Sequence, residues 1–339
     1  MASLTPFIIP IFTPHLGCPH RCVFCNQHAI TGTRLEIHRI PGIIETALSS
    51  PKRKNRPVEI AFYGGNFASL PDDVQADLLS PCMKYIESKV VRTIRISSRP
   101  DSFDRRVVQR LKDLGVGAIE IGAQSLDDSV LKLSKRGHTS RQIQEAAGLL
   151  HSAGLHVGIQ IMLGLPGDTR QKALDTAQKV VELGPQIARI YPTVVLRDSE
   201  LAHQYLMGRY HPLSLEEAVG LCSEILNILE RGGVRVIRMG LQDSESLTGS
   251  NGLFAGPHHP AFGQLVRAAS WLHRAQSAIQ ACSCPGDGGC FRVHPSQVSN
   301  LKGQRSSNLR ALEKNWGLRK LSVVGDPSLD ITECCFEPD

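Results

Sequence analysis

Hydrophobic positions in the first part of the chain alternate between short β-type runs and longer helical patterns. The β-type runs cover residues 7–12, 58–62, 93–97, 117–121, 156–161 and 186–190. The amphipathic helical patterns between them lie near residues 38–49, 71–88, 102–113, 127–152 and 168–183, and the fourth is interrupted at Gly137. Strands that alternate with helices favour a parallel sheet with right-handed crossovers. The pattern therefore predicts an α/β fold built from six strand–helix units.

The rest of the chain adds a further strand–helix unit and then changes character. A helix, a strand, a second helix and a strand–helix–strand segment are predicted over residues 214–231, 234–237, 263–281 and 291–324. Residues 240–262 are rich in glycine, serine and proline, which is typical of a long functional loop. We therefore predict two domains, a core over residues 1–240 and a C-terminal α/β extension over residues 241–339.

The net charge of +6 is concentrated in one segment of an otherwise ordinary globular composition. Hydrophobic residues make up 41% of the chain and charged residues 21%, which excludes wholesale disorder. Residues 290–325 hold the basic side chains Arg292, Lys302, Arg305, Arg310, Lys314, Arg319 and Lys320, against the single acid Glu313. A basic segment suits a polyanion such as RNA, and a solvated basic face explains the same charges equally well.

The apolar segments and the cysteines both indicate a cytosolic protein. No apolar run approaches the roughly 18 residues of a transmembrane helix. The apolar stretch at residues 7–12 is broken by Pro10 and lacks the basic leader of a signal peptide. We therefore expect no membrane association and a cytoplasmic location. There, the 10 cysteines are expected to be ligands or buried thiols rather than disulfides.

Three cysteines lie directly after the first predicted strand, in the motif Cys18-Pro-His-Arg-Cys22-Val-Phe-Cys25. Three thiolates can bind three irons of a 4Fe-4S cluster and leave the fourth iron open to another ligand. A zinc site is the structural alternative, and its fourth ligand would be one of three nearby histidines, His15, His20 or His28. The spacing alone leaves both possibilities open. Phe24, between the last two cysteines, is consistent with an aromatic wall beside the metal.

A second group of cysteines lies late in the chain. Its members are Cys282, Cys284 and Cys290 in a Gly- and Pro-containing turn, with Cys334 and Cys335 near the end. Such a group can bind a second metal centre, either an auxiliary cluster or zinc, or it can consist of incidental loop thiols. The spacing does not decide between them. Cys82 and Cys222 fall on apolar helix faces, which predicts buried thiols.

The cysteine motif and the ends of the later strands resemble the radical S-adenosylmethionine (radical SAM) superfamily. Its hallmark is CxxxCxxC on the loop after the first barrel strand, and its fold is a partial (β/α)6 TIM-like barrel. Active groups in such barrels lie at the carboxyl ends of the strands. Tyr63-Gly64-Gly65-Asn66 follows the second strand, where the superfamily has a glycine-rich turn that meets the methionyl amino group of S-adenosylmethionine.

The resemblance also implies which residues contact the cofactors. In the branch that resembles coproporphyrinogen oxidase, polar groups at matching strand ends hold the ribose and methionine portions of S-adenosylmethionine. Carried over, the cofactor contacts are Phe24, Gly64, Gly65, Asn66, Gln124, Arg136 and Gln160, and the cluster ligands are Cys18, Cys22 and Cys25. For Gln160, which ends a buried strand, a satisfied core amide is an equal alternative.

The narrower resemblance is to radical SAM proteins related to the catalytic subunit of the elongator complex. It rests on Thr13-Pro-His-Leu-Gly-Cys-Pro-His, Tyr63-Gly-Gly-Asn-Phe-Ala-Ser-Leu-Pro, Ile121-Gly-Ala-Gln-Ser-Leu-Asp-Asp, Lys135-Arg-Gly-His-Thr and Gly303-Gln-Arg-Ser-Ser-Asn308. The elongator subunit spaces its cysteines more widely. The chain also lacks an Arg-x-x-Gly-x-Gly/Ala acetyl-CoA loop, so no acetyltransferase domain is expected.

The resemblance implies a radical enzyme. One electron, from flavodoxin or ferredoxin, would cleave S-adenosylmethionine at the 4Fe-4S cluster and give a 5′-deoxyadenosyl radical that abstracts hydrogen from a substrate. We favour a tRNA base as that substrate, with the basic tail as the tRNA contact. A tetrapyrrole substrate and a non-enzymatic haem- or cluster-binding chaperone are the alternatives, and no catalytic residue on the substrate side is assigned.

Overall fold

The structure is a computed structural model that describes residues 5–19, 22–26, 35–241, 247, 252–282 and 286–339. The strands in these ranges are β1 (Phe7–Phe12), β2 (Val58–Tyr63), β3 (Thr93–Ser98), β4 (Val116–Gln124), β5 (His156–Leu163), β6 (Ile187–Pro192), β7 (Val195–Leu196), β8 (Arg235–Met239), β9 (Leu253–Ala255), β10 (Gly289–Val293), β11 (Leu321–Gly325) and β12 (Cys334–Pro338). The helices are α1 (Ile40–Leu48), α2 (Asp72–Glu87), α3 (Arg105–Asp113), α4 (Asp128–Leu133), α5 (Ser140–Ser152), α6 (Arg170–Leu183), α7 (Glu200–Leu206), α8 (Leu215–Arg231), α9 (Phe262–Gln280), α10 (Val298–Lys302) and α11 (Ser307–Trp316). Of these helices, none combines the length and the apolar character needed to cross a lipid bilayer.

A curled parallel sheet forms the main part of the fold. Seven strands lie in the order β1-β2-β3-β4-β5-β6-β8, and each is parallel to its neighbours. Side chains from all seven line one cavity, so the sheet curves around its concave face. This arrangement confirms the predicted α/β partial barrel, and β8 extends it by a seventh strand.

The strands form because apolar residues recur at every second position and fill one face of the sheet. Ile60, Phe62, Ile96 and Ile119 are all 0% exposed, as expected for a parallel sheet covered by helices. The helix boundaries follow polar caps. For example, Thr139 forms a capping box with Gln142 at the start of α5.

The predicted interruption at Gly137 separates two helices. α4 ends at Leu133 and α5 begins at Ser140, and Gly137 has a φ of +69° in the segment between them. Glycine adopts this left-handed conformation without steric cost. The break puts Arg136 and His138 in a connection that follows the carboxyl end of β4, the edge at which barrel enzymes carry their active groups.

The chain divides into two compact units. One comprises Met1–Ser214 and Ile228–Pro257, and the other comprises Leu215–Asn227 and His258–Asp339. The second unit has a three-stranded sheet in the order β11-β10-β12, packed on a core that includes Trp271, Phe291 and Leu312. The loop predicted over residues 240–262 contains the short strand β9, and its residues 242–246 and 248–251 lie outside the described ranges. The predicted division into a core over residues 1–240 and an extension over residues 241–339 stays a prediction.

Candidate active site

The predicted site residues come together along the concave face of the curled sheet. A cavity of about 750 Å³ lies there, within the size range of small-molecule sites. It is lined by Cys18, Cys22, Phe24, Cys25, Gly64, Gly65, Gln124, Arg136 and Gln160, among others. Asn66 is the one predicted contact that does not line the cavity. The structure therefore brings together residues from the cysteine loop and from three strand ends.

The cysteine loop and the glycine turn after β2 touch through their backbones. The Asn66 amide N–H donates to the Leu16 carbonyl oxygen at 2.6 Å. A Cβ on Gly65 would lie 2.3 Å from the Leu16 oxygen, and one on Gly17 would lie 2.3 Å from the Asn66 oxygen. Both glycines have positive φ, +66° and +71° respectively. The two loops can therefore approach this closely only because neither glycine carries a side chain.

The middle of the cysteine loop is anchored by Val23. Its side chain is 0% exposed, and its N–H donates to the Ser134 carbonyl oxygen at 3.3 Å. Its own carbonyl oxygen accepts from the Leu201 N–H at 2.7 Å. Phe24 packs against the same apolar cluster as Val23 and Leu201 while it also lines the cavity. The loop thus has a fixed backbone between the second and third cysteines.

The three cysteines are unpaired thiols at different depths. Cys22 is 8% exposed, whereas Cys18 and Cys25 are half-buried, and none of them forms a disulfide. Burial, and then the nearby Cys22, raise the pKa of Cys18, while Arg99 and Arg136 oppose that rise. Because a thiol must lose its proton to bind a metal, the two guanidinium groups favour the metal-binding form of the loop.

Arg136 donates directly to one of these cysteines. Its Nη1 lies 3.0 Å from the Cys22 Sγ, its Nη2 donates to the Gly122 carbonyl oxygen at 2.5 Å, and its Nε donates to His138 Nε2 at 3.2 Å. Burial, followed by the charges of Arg136 and Arg99, lowers the pKa of His138 to about 3. His138 is therefore neutral at physiological pH, and its Nε2 can accept the hydrogen bond from Arg136. This hydrogen bond holds the guanidinium against the Cys22 sulfur.

Two glutamine amides meet across neighbouring strands, Gln124 at the end of β4 and Gln160 within β5. Gln160 Nε2 donates to Gln124 Oε1 at 3.2 Å. Gln124 has a φ of +68°, at a point where the β4–β5 register shifts between Gly122 and Gln124. A bulge of this kind redirects a side chain at a strand end. Gln160 therefore has an amide partner, as the core alternative expects, and it also lines the cavity, as the cofactor prediction expects.

Asn66 is placed differently from the other predicted contacts. Its side chain is 0% exposed, and its Oδ1 accepts from the Arg99 N–H at 3.0 Å. Its Nδ2 donates to Ser69 Oγ at 2.7 Å and to Ser102 Oγ at 2.9 Å. In this structure the amide joins the loops after β2 and β3. A cofactor contact through the Asn66 side chain stays a prediction.

The donor set fits an iron–sulfur cluster in its chemistry. Three thiols line one cavity, and an arginine donates to one of the sulfurs, as donors to cluster sulfurs do. Within the described residues, no three His, Cys, Asp or Glu side chains are close enough to hold one metal ion as they stand. The three thiols therefore share the cavity without converging on one point. His15 also lines the cavity, whereas His20 and His28 lie outside the described residues.

A buried ion network on the same cavity was missed by the sequence analysis. Arg95 Nη1 lies 3.0 Å from Glu120 Oε1, and Arg95 also pairs with Glu59. Arg189 Nε lies 2.7 Å from Glu120 Oε2. These four side chains come from β2, β3, β4 and β6, each of which has one charged residue in an otherwise uncharged strand. That recurrence is the sequence signal that could have found the network.

Two tyrosines complete the network around Arg189. Its Nη2 donates to the Tyr63 hydroxyl at 2.5 Å and its Nη1 to the Tyr191 hydroxyl at 3.2 Å. Its guanidinium also lies 4.5 Å from the centre of the Tyr63 ring. Burial and the neighbouring Glu120 raise the pKa of Tyr63 to about 12, so this phenol keeps its proton. Both tyrosines line the cavity.

The late cysteines are not brought together as a metal site among the described residues. Cys290 lies on β10, where its register partner on β12 is Glu337. Two residues further along β10, on the same face, the register partner of Arg292 is Cys335. Cys284 lies outside the described residues. A second metal centre formed by Cys282, Cys284 and Cys290 therefore stays a prediction.

The chain is similar over about two thirds or less of its length to several named proteins. It is 26% identical over 260 residues to the tRNA uridine(34) acetyltransferase of Dehalococcoides mccartyi, covering 66% of this chain and 56% of that protein. It is 27% identical over 212 residues to human Elongator complex protein 3, covering 57% of this chain and 38% of that protein. The chain therefore spans only about half or less of the length of these relatives.

A solved structure shares the fold. Elp3 from the archaeon Methanocaldococcus infernus, solved with an N-terminal deletion, aligns with a TM-score of 0.62 at 21% identity. The alignment covers 76% of this chain and 61% of that one. At this identity the likeness shows the architecture, a partial barrel with parallel strands.

Two family models cover most of the chain between them. The model of the radical SAM superfamily matches residues 12–180, which include the cysteine loop and the strands β2 to β5. The model of the radical SAM C-terminal domain matches residues 185–274. These matches follow the same order as the sheet and the site described above, and the chain belongs to the radical SAM superfamily of enzymes.

Proposed function

We propose that Cys18, Cys22 and Cys25 hold a 4Fe-4S cluster and that S-adenosylmethionine binds beside it in the barrel cavity. The observation that carries the proposal is the shared cavity, lined by the three thiols, the glycine turn and the Gln124–Gln160 pair. When bound and reduced, the cluster supplies the electron that splits S-adenosylmethionine and yields a 5′-deoxyadenosyl radical. The family implies this cofactor pair.

The residues of the cavity have separate tasks in this proposal. The turn at Gly64 and Gly65 forms part of the cavity wall, and the missing Cβ of Gly65 lets the cysteine loop pack directly against this turn. The amides of Gln124 and Gln160 offer donors and acceptors to the cavity from two adjacent strands. Phe24 packs against an apolar cluster and presents an apolar wall to the cavity, which excludes water.

We propose a tRNA base as the substrate. The tRNA uridine(34) acetyltransferase named above supports this choice, as do the six arginines of the cavity wall, Arg95, Arg99, Arg136, Arg189, Arg235 and Arg238. Cations of this number favour a polyanion. The electron would come from flavodoxin or ferredoxin. Because tRNA and these reductants share the cytoplasm, the proposal places the chain there.

The proposal is tested by anaerobic reconstitution with iron and sulfide. We expect the wild-type protein to form 5′-deoxyadenosine from S-adenosylmethionine and dithionite, and tRNA to increase the rate. The triple variant Cys18→Ala, Cys22→Ala, Cys25→Ala should lose its iron and its activity. Cys82→Ala is the matched control, because the Cys82 thiol is 0% exposed inside α2 and outside the cavity.

Each contrary result has a distinct meaning. Retention of iron by the triple variant would contradict the cluster assignment, and uptake of zinc without iron would support the zinc alternative. If a carboxylated tetrapyrrole stimulated the enzyme and tRNA did not, the substrate would be a tetrapyrrole and not a tRNA base. A protein that binds iron but forms no 5′-deoxyadenosine would be a binding protein.

A further inference from the structure

The arginine–tyrosine group in the barrel points to a second binding site in the cavity. We infer that Arg189, Tyr63 and Tyr191, hereafter the oxyanion subsite, bind a phosphate or carboxylate group of the substrate. The inference rests on the proposed function in one respect, that the barrel cavity is where the substrate binds. None of these three side chains is among the predicted cluster or S-adenosylmethionine contacts.

The geometry holds Arg189 in one orientation. Glu120 Oε2 lies 2.7 Å from its Nε, and the two phenol oxygens accept from its Nη1 and Nη2. A phenol whose oxygen accepts a hydrogen bond keeps its own O–H to donate elsewhere. Tyr63 and Tyr191 both line the cavity, so the subsite presents two O–H donors beside a fixed guanidinium. Fixed donors of this kind match the oxygens of an anion.

The charges on this part of the wall favour an anion over a cation. Arg95, Arg189, Arg235 and Arg238 line the cavity, and Glu120 is the only acid among its described lining residues. Arg238 is the register partner of Arg189 on β8, so two arginines lie side by side across neighbouring strands. Glu120 and Glu59 are the described acids that pair with Arg95 and Arg189, so the four arginines outnumber these two carboxylates.

A ligand accounts for this network better than stability does. A buried ion pair is weak evidence for stability, because desolvation offsets most of the Coulombic gain. The side chains also border a cavity rather than a solid core. Arg95, which is 4% exposed, has an Nε with no hydrogen-bond partner among the described residues. An unpaired buried donor beside a cavity is the kind of group that a bound oxygen would satisfy.

The experiment compares two ligands that differ only in a phosphate group and adds a porphyrin as a separate carboxylate probe. Reconstituted protein is titrated by calorimetry with uridine 5′-monophosphate, with uridine and with a carboxylated porphyrin. We expect the monophosphate to bind about tenfold or more tightly than uridine, because a charge-assisted pair at a desolvated guanidinium is worth that factor. Arg189→Lys should remove that preference, since lysine cannot make the same forked contacts.

Two further variants keep the test independent of folding. Tyr63→Phe and Tyr191→Phe remove only the hydroxyl groups and should each weaken monophosphate binding severalfold without changing iron content. Arg197→Lys is the matched control, because Arg197 is exposed, stacks 4.8 Å from the Phe254 ring centre and does not line the cavity. It should leave the preference intact.

The outcomes separate the subsite from the tRNA proposal. Arg189-dependent binding of the monophosphate supports both. Arg189-dependent binding of the porphyrin alone supports the oxyanion subsite with a carboxylate ligand, while the tRNA proposal fails. The inference would be overturned if uridine and its monophosphate bound equally tightly and the porphyrin did not bind. It would also be overturned if anion binding survived all three substitutions. In either case the network would have only a structural role.

Discussion

Arg136 joins parts of the site that are far apart in sequence. Its guanidinium contacts the Cys22 sulfur, the Gly122 carbonyl at the end of β4 and the ring of His138. The cysteine loop, the fourth strand and the α4–α5 connection therefore meet at one side chain. A charged donor to a cluster sulfur also tunes the electronics of the cluster. In the proposed cluster site, Arg136 would therefore act on the metal centre through the Cys22 sulfur without being a ligand.

His138 should make the free energy of unfolding of the protein depend on pH. Its pKa is lowered to about 3 by burial and by Arg136 and Arg99, while Asp101 opposes the shift. Between about pH 3 and about pH 6.5 the unfolded chain binds a proton on this ring that the folded chain does not. The free energy of unfolding should therefore fall as the pH drops below 6.5, by at most about 1.4 kcal/mol per pH unit.

The measurement is urea unfolding of wild type and His138→Gln at about pH 7 and about pH 5. Glutamine keeps an acceptor for Arg136 but does not titrate, so the variant should lose less stability at the lower pH. His38→Gln is the control, because the His38 side chain is 80% exposed. An identical loss of stability in wild type and His138→Gln would show that the ring does not titrate as stated.

The sequence revealed only those site residues that form contiguous motifs. The cysteines and the Gly64-Gly65 turn can be recognised because their chemistry is visible within a few residues. Arg95, Glu120 and Arg189 occur singly, in three different strands, and only the parallel register brings them together. The single charged residue in each strand is visible in the sequence, but which of these residues pair is decided by the register of the sheet.

The glycine turn after β2 acts as a spacer element between two loops. A Cβ on Gly65 would lie 2.3 Å from the Leu16 oxygen and 2.7 Å from the Thr13 oxygen, and both are backbone atoms that cannot rotate away. Its φ of +66° adds about 1–2 kcal/mol for any other residue. We expect Gly65→Ala to reduce the free energy of unfolding by at least about 2 kcal/mol and to lower iron uptake.

Gly148→Ala is the matched control for that change. Gly148 lies inside α5, and a Cβ there would meet nothing within 4 Å. Alanine should stabilise the helix by about 0.5–1 kcal/mol and leave iron uptake unchanged. The comparison uses chemical unfolding and iron content after reconstitution. A Gly65→Ala protein as stable and as rich in iron as wild type would show that the loop contact is not needed.

Long periodic elements were predictable and short paired ones were not. The six strands through β6 and the helices between them match the predicted segments within a few residues. β7 and β9 are too short for a pattern, since they span Val195–Leu196 and Leu253–Ala255 and pair only with each other. β12, at Cys334–Pro338, exists through its antiparallel pairing with β10. Such strands are defined by tertiary partners rather than by their own residues.

At the scale of the whole molecule, positive charge is distributed over both units. In the first unit, arginines line the cavity. In the second, Arg305, Arg310 and Lys314 are exposed, and Lys302 is half-buried. These four lie on α10, a short turn and α11, so the middle of the predicted strand–helix–strand segment contains two helices instead of one. Arg292 belongs to the same predicted basic segment, but its side chain pairs with Asp326 and Glu337.

The exposed cations of the second unit should give tRNA binding a measurable salt dependence. Each phosphate that is neutralised adds about 0.7–0.9 to the slope of log affinity against log salt, so three or four contacts predict a slope of about −2 to −4. The double variant Lys302→Ala, Arg305→Ala should reduce the magnitude of that slope by about 1.4–1.8. The measurement is tRNA affinity across a salt series.

Arg292→Gln is the control that separates specific contacts from net charge. It removes one positive charge from the same unit, but Arg292 is already held by Asp326 at 2.5 Å and by Glu337 at 2.9 Å. Because its charge is compensated within the protein, it should release few counterions on tRNA binding, and the slope should stay at the wild-type value. Equal slopes for wild type and the double variant would show that the basic segment is a solvated face. If Arg292→Gln reduced the slope as much as the loss of one exposed cation does, tRNA binding would depend on the total charge alone.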